Sequence, residues 1–373
     1  MSIDASAEVS AQMQLEFLQR VSRILEQGRF TATYKFALLI ALANLSVTRG
    51  TDRHESVTIP LDDIAREFMD LHWGMSRPFP GASGQVLRFT TRSGGQASVI
   101  TDVGRHATTS RGAHTRQLEY RRAEAKLMAR VRRTLTRDVL YRLQNVGASA
   151  GSATPAMQFM YDHPPDAAGC ARLECIVLKP GVSACFRALR PLIVALTQAK
   201  WASWMRDNNP SLGPDRTLEQ FMFGSSRLPL VKFREWLFEM QDGRCFYTGT
   251  RLPQPSSGEV DHFLPWARYP LDLPANLVLA SNRANSDKRD RIASERLLAP
   301  WVQRNSALDP PKKLAALLQV DGESKESESD RCGTATTHAV ARWLYALADQ
   351  SGLTAWDGPN ALVPLTGAWR KVI

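Results

Sequence analysis

Between residues 10 and 27 the apolar positions Met13, Leu15, Phe17, Leu18, Val21, Ile24 and Leu25 recur with the period of a helix, and Gly28 closes the run. Thr31 or Thr33 then caps YKFALLIALANL, which is apolar all round and predicts a buried helix. In SVTIPLDDIAREFMDLHW a short β-branched run precedes a helix that opens at Pro60. Asp62 and Asp63 sit in its first turn, where the helix dipole favours acids. The stretch from Pro78 to His114 is rich in Gly, Ser, Thr and Arg, with one β-like patch, QASVI, and predicts loops and a hairpin. LECIVL at 173–178 predicts a strand ended by Lys179-Pro180-Gly181. CFRALRPLIVALTQAKWASWMRDNN predicts a mostly apolar helix kinked at Pro191. Further helical patterns are PLVKFREWLFEMQ, IASERLLAPWVQR, PKKLAALLQV and THAVARWLYALADQSG. DGESKESESD at 321–330 is polar and free of aromatics, which predicts a flexible surface loop.

These elements divide the chain into four stretches. Residues 1–150 form an α-rich N-terminal domain with a basic helix at 115–147, and 151–230 a helical connecting region opened by the linker-like GASAGSATPA. Residues 231–300 hold two strands and a helix, and 301–373 a C-terminal helical extension. At 373 residues the chain is long enough for two or three cores. Its 43% hydrophobic and 23% charged residues are those of a soluble globular protein. No apolar run reaches the ~20 residues that span a bilayer, and the first residues lack a signal-peptide layout, so no membrane partner and a cytoplasmic location are expected. The five Cys form no CxxC pair, which argues against a disulfide framework.

Charge adds a direction. Lys and Arg exceed Asp and Glu by 47 to 37, and that excess suits a polyanionic partner. Between Arg116 and Arg142 stand nine basic and three acidic residues. That helix is either a face that tracks phosphates or a solvated face with internal pairs such as Glu119 with Arg122.

Residues 259–290, EVDHFLPWARYPLDLPANLVLASNRANSDKRD, concentrate the chemistry. Hydrolysis of a phosphodiester needs a base that works near neutral pH and a cation for the charge that builds on phosphate. A His can be the first, and oxygen ligands can hold the second as Mg²⁺. EVDHF and NLVLA predict two strands, with Asn276 at the start of the second. The following segment predicts a helix with Asn285 and Lys288 three apart on one face. Neighbouring strand residues point to opposite faces, so Asp261 and His262 need a twist or bulge at the strand end to serve one site.

VDHF, PANLVLA and NSDK at these spacings resemble the HNH endonuclease motif with its ββα-metal fold, and the leading GRCFYTGTRL is similar to the opening of many such domains. The resemblance covers roughly residues 232–300. It implies an α+β, mainly helical chain in which an α-rich N-terminal region precedes a ββα-metal HNH nuclease domain and C-terminal helices. It also implies that His262 is the general base, that Asp261 and Asn285 ligate a divalent ion, and that Asn276 orients the loop. Lys288 would sit near the scissile phosphate, with Arg283, Arg289 and Arg291 lining the approach of the DNA backbone. The products would be 5′-phosphate and 3′-hydroxyl ends. The natural setting of the family is prokaryotic phage defence or restriction, with DNA and other defence-system proteins as partners. Many HNH domains carry two CxxC pairs for zinc, but here Cys245 is followed at the matching position by Thr248, and no Cys stands in SNRANS. No structural zinc is therefore expected. The Asn at 285 is similar to the variant found in RNA-guided CRISPR nucleases and favours Mg²⁺ or Mn²⁺.

Plainer readings stand beside these. Asp162-His163 repeats the dipeptide before two Pro and without a following Asn strand, so it reads as structural. Trp201, Trp204, Trp236 and Trp266 could stack bases, although aromatics at such spacing are more often core. The pattern of another nuclease class fails because Glu174 is followed by Cys175-Ile176 rather than x-Lys. The alternative of another kind is a DNA-binding or scaffold subunit whose HNH domain is idle or gated by a partner.

Overall fold

The computed structural model describes residues 8–80, 85–91, 95–110, 117–144, 158–164, 167–212, 217–224, 230–269, 274–307 and 334–373. The expected linker at 147–156, helix at 311–320 and loop at 321–330 lie outside these residues. The chain forms two compact units, Met1–Gly224 and Ser225–Ile373. Both are rich in helix and carry small antiparallel sheets, so the fold is α+β and mainly helical.

In the first unit α1 (Ala11–Gln27) begins at Ser10, whose hydroxyl accepts the Met13 N–H at 3.2 Å. It ends where the Gly28 N–H returns to the Ile24 carbonyl at 2.9 Å. Next comes α2 (Tyr34–Arg49), in which Phe36 to Ala43 are all buried. Then β1 (Val57–Pro60) runs straight into α3 (Leu61–Trp73). After α4 (Ser98–Ser110), α5 (Gln117–Thr134) and the short α6 (Ala167–Cys170), β2 (Cys175–Leu178) pairs antiparallel with β1, Val57 opposite Leu178. The unit closes with α7 (Val182–Asn208), which continues through Pro191, and α8 (Leu218–Phe223).

A helix with no polar side must be surrounded, and α3, α7, β1 and the π-helical turn at Leu135–Val139 pack against α2. Its C-terminal carbonyls would be stranded by that burial. The buried Arg187 of α7 meets them, donating to the carbonyls of Val47 at 2.7 Å, Ser46 at 3.3 Å and Gly50 at 3.4 Å. Its remaining donors hold both carboxylate oxygens of Asp52, at 2.6 and 3.2 Å. A guanidinium can be buried here because each of its three nitrogens finds an acceptor.

Two expectations are corrected. QASVI is not a strand: Ser98 to Ser110 are helical, and Ala97, Val99, Ile100 and Val103 bury one face. The Gln96 side chain decides the start, accepting from Ala97 N–H at 2.9 Å and Phe89 N–H at 3.0 Å while donating to the Leu87 carbonyl at 2.6 Å. A β-branched run too short to show its period cannot reveal such a cap. The basic helix is also shorter than expected, since α5 gives way to a π-helical turn at Leu135–Val139. Part of its charge is spent inside the unit, where Arg130 pairs with Asp102 of α4 at 2.9 Å and Arg132 with Asp62 of α3 at 3.1 Å. The side chains of Glu119 and Arg122 are outside the described set. Asp162 pairs with Lys179 at 2.7 Å, and His163 bonds the Pro164 carbonyl at 2.7 Å, both within this unit.

The second unit contains α9 (Arg234–Met240), β3 (Gly258–His262), β4 (Leu277–Ser281), α10 (Asn282–Lys288), α11 (Glu295–Ala307) and α12 (Thr334–Gln350). It ends in a hairpin absent from the sequence reading, β5 (Thr354–Gly358) with β6 (Ala361–Pro364). No helix among the described residues is long and apolar enough to cross a membrane.

Replacing Gln96 by Ala strands two N–H groups and a carbonyl that are partly buried, and should cost about 1–3 kcal/mol. Urea unfolding will show the loss, and hydrogen exchange should place it at residues 87–100. A variant as stable as the parent would mean that Gln96 does not set the start of α4.

Candidate active site

The site is built on a two-stranded ribbon. β3 and β4 pair from Gly258 opposite Ser281 to His262 opposite Leu277, with no shift in register. A Cβ at Gly258 would lie 2.8 Å from Leu279 Cγ, so only glycine fits there. Leu277, Val278, Leu279 and Ala280 are all buried. The outer edge of β4 is covered by the Gln241 side chain, which donates to the Leu279 carbonyl and accepts its N–H, both at 2.8 Å. Ser281 ends the strand and its hydroxyl accepts the Ala284 N–H at 3.3 Å, so β4 turns into α10 without a loop.

Asp261 projects onto that helix. Its Oδ2 accepts from Tyr247 Oη at 2.6 Å and from Lys288 Nζ at 3.0 Å. Lys288, expected beside the scissile phosphate, has no exposed surface. Its ammonium also donates to the His262 carbonyl at 2.8 Å and lies 5.5 Å from the centre of the Tyr247 ring. Burial, and after it the Asp261 charge, push the Tyr247 phenol well above its ordinary value, so it remains a donor.

Asn276 is 2% exposed, and its amide spans the next turn of chain. Its oxygen accepts the Leu264 N–H at 2.6 Å and its nitrogen donates to the Leu264 carbonyl at 2.9 Å. The Phe263 N–H meets the Asn276 carbonyl at 2.8 Å, extending the ladder by one bond. Arg304 of α11 holds the flanking carbonyls of Ala275 at 2.7 Å and Leu277 at 2.9 Å. The segment just after His262 is thus fixed through its backbone. His262 is itself 7% exposed and is the last residue of β3. No bulge accompanies it, but two-stranded ribbons twist more than wide sheets, and its position at the end leaves it the freest to turn.

Asn285 lies one helical turn before Lys288 on the same face and is half-buried. Arg283 and Arg289 are exposed; Arg289 donates to the Ser286 carbonyl at 3.4 Å, and Arg291 to the Asp287 carbonyl at 2.8 Å. Arg289 closes α10 with φ of 53°, a left-handed conformation that is costly for a residue with a Cβ. The helix is braced from the far end of the chain: Asp287 Oδ2 accepts Trp356 Nε1–H at 2.7 Å and Asn360 N–H at 3.1 Å. Those bonds, the Trp356 one first, hold the Asp287 carboxyl below its usual range. Trp266 is half-buried, whereas Trp201 is sealed in the core of the first unit.

Cys245 is buried beside Thr248 and Ser281. Burial raises its thiol, but hydrogen bonds from Thr248 and Ser281 prevail and bring it below the ordinary value. Hydroxyls therefore stand at this sulfur.

The profile of a family described as Domain of unknown function (DUF8808) matches residues 14–221, more than half of the chain. The chain belongs to that family. A second profile, HNH endonuclease, matches residues 245–294 of this DUF8808 protein and spans both strands and α10. It marks an HNH domain and suggests nuclease activity on nucleic acid. No curated protein and no solved structure matches the chain.

Within the HNH domain the donor set suits a hard cation. Both hydrogen bonds to Asp261 end on Oδ2, so Oδ1 has none among the described residues, and the Asn285 amide oxygen is of the same hard type. Among the described residues no three His, Cys, Asp or Glu cluster as ligands, so the remaining positions would go to water and phosphate, as Mg²⁺ prefers. Tyr247 escaped the sequence reading. Its place two residues after Cys245 in GRCFYTG was the available signal, but an aromatic there reads first as core.

Lys288→Met leaves Asp261 charged and half-buried without its cation, and should destabilise the second unit by about 3–5 kcal/mol. Tyr247→Phe removes one bond to the same oxygen and should cost about 1.5–3 kcal/mol. Denaturant unfolding measured without added metal checks both; a neutral Lys288→Met would show that the pair does not hold the helix.

Proposed function

We propose that this protein is a divalent-metal-dependent DNA endonuclease that leaves 5′-phosphate and 3′-hydroxyl ends. The observation behind this reading is that the HNH match falls on a ββα unit with Asp261 and His262 at the end of one strand and Asn285 on the helix that meets it. Asp261 through Oδ1 and Asn285 through its amide oxygen would hold Mg²⁺ or Mn²⁺. Such an ion, when bound, offsets negative charge on the phosphate and the departing oxygen. His262 takes a proton from the water that attacks phosphorus as the bond to O3′ breaks. Asn276 keeps the chain behind His262 from drifting, so the imidazole stays aimed. Lys288 acts through Asp261 as a positioning residue, fixing one carboxylate oxygen so that the other faces the ion. Arg283, Arg289 and Arg291 give the α10 end of the domain a positive edge for the DNA backbone. Thr248 stands where a CxxC partner of Cys245 would be, which supports a domain that folds without zinc. Phage defence or restriction is the role we assign, in the cytoplasm and alongside other defence proteins.

The near-complete burial of His262 favours a second form of this reading, in which a partner or DNA must open the site before it cuts. A scaffold with an idle domain would show no cutting under any condition.

Plasmid nicking tests these readings. The protein with Mg²⁺ should nick supercoiled DNA, EDTA should stop it, and His262→Ala should abolish it while leaving DNA binding near that of the parent. Nicking that survives His262→Ala would remove His262 as the base. Asn285→Ala should weaken Mn²⁺ binding, read by calorimetry, about tenfold or more.

A further inference from the structure

The two ends of α2 are treated differently. At its C-terminus the stranded carbonyls are met by Arg187, as described above. At its N-terminus, among the described residues, the N–H groups of Tyr34 and Lys35 have no acceptor, and Thr33 makes no side-chain cap. The Thr33 hydroxyl has no exposed surface and no hydrogen bond. Beside it Lys35 is 9% exposed, and among the described residues its ammonium has neither an ion pair nor a hydrogen bond. Side chains on a helix lean toward its N-terminus, and this one carries its Nζ beyond the first turn to lie 5.6 Å from the centre of the Phe30 ring. Phe30 is itself stacked on Phe36 at 4.2 Å, so the ammonium is seated rather than loose.

Lys35 is acted on by a charge of its own sign. Burial first, and then the Arg142 guanidinium, lower its ammonium to about 8. Arg142 is half-exposed and its acid, Asp138, stands 3.5 Å away. A helix N-terminus, an unsatisfied buried hydroxyl and the unpaired Lys35 ammonium thus lie close in the chain, and Asp138, the acid that acts on Tyr34, is paired with Arg142.

We propose that the N-terminus of α2, with Lys35, Thr33 and Arg142, is a binding seat for a phosphate group. It lies in the first unit and stands independently of the nuclease reading. Tyr34 and Lys35 N–H and the Thr33 hydroxyl donate to the phosphate oxygens, and Lys35 and Arg142 balance their charge. The chain leads to Arg142 from a row of exposed cations on one face of α5 and its π-turn, Lys126, Arg133 and Arg137, which have no acidic partner among the described residues. That row suits a repeating phosphate, so the ligand is either a nucleic-acid backbone or a free phosphate compound.

Hydrogen exchange of the full chain distinguishes the sources. Pyrophosphate at ten times its dissociation constant should slow exchange of residues 33–37 about tenfold, against chloride at equal ionic strength. A short DNA duplex is the second arm. Protection by pyrophosphate means that isolated phosphates suffice, and protection by duplex alone means that the seat reads a backbone. Lys35→Met keeps the apolar stem and removes the unanswered charge, so it should abolish protection and raise the melting temperature without ligand. Should Lys35→Met fail to fold, Arg142→Gln at the surface should reduce protection severalfold and decides the matter. The proposal is overturned if neither ligand protects these amides, or if protection persists in both variants.

Discussion

An ammonium group sealed from water must be answered on every side, and the second unit is arranged around that requirement. Lys288 reaches from the last turn of α10 to a carboxylate oxygen of β3, to the carbonyl of the next residue and to the face of Tyr247. These contacts fix the helix against the ribbon at one point. Ser281 fixes it at another by ending β4 and starting α10 in the same residue. With both points set, α10, which carries Asn285, is fixed against the ribbon. Asp261 is therefore held by bonds that involve no metal.

Much of this was legible in the chain. The unbroken apolar run of α2 announced its burial, because nothing else suits a helix without a wet side. The strands EVDH and NLVLA and the helix after them stood out by residue type and spacing. Other features needed coordinates, for physical reasons. Helical spacing puts Lys288 on the face of Asn285 but does not say whether that face is covered. Tyr247 could not be told from core, because its phenol matters only through an oxygen fourteen residues away. Gln96 is an ordinary polar residue until three backbone groups are seen around its amide.

The two ends of α2 answer one problem in opposite ways. Buried helix ends must find partners, and in the first unit Arg187 does this for one end of α2 with a guanidinium whose three nitrogens all find acceptors. The other end keeps its donors and gathers more positive charge around them. Sequence marks both residues only as basic, since the difference lies in what surrounds them. A basic composition therefore says less about ligands than the distribution of unanswered charge does. Arg130 and Arg132, from the most basic helix of the chain, are largely occupied with acids of their own unit.

The brace on α10 has an implication for timing. Trp356 and Asn360 hold Asp287, yet they are made 69 and 73 residues after it. On the ribosome, Asp261, His262 and Asn285 are therefore made before these two braces of α10. A nascent chain would thus hold α10 through Lys288 and Ser281 first, and the added brace would wait until Trp356 is made.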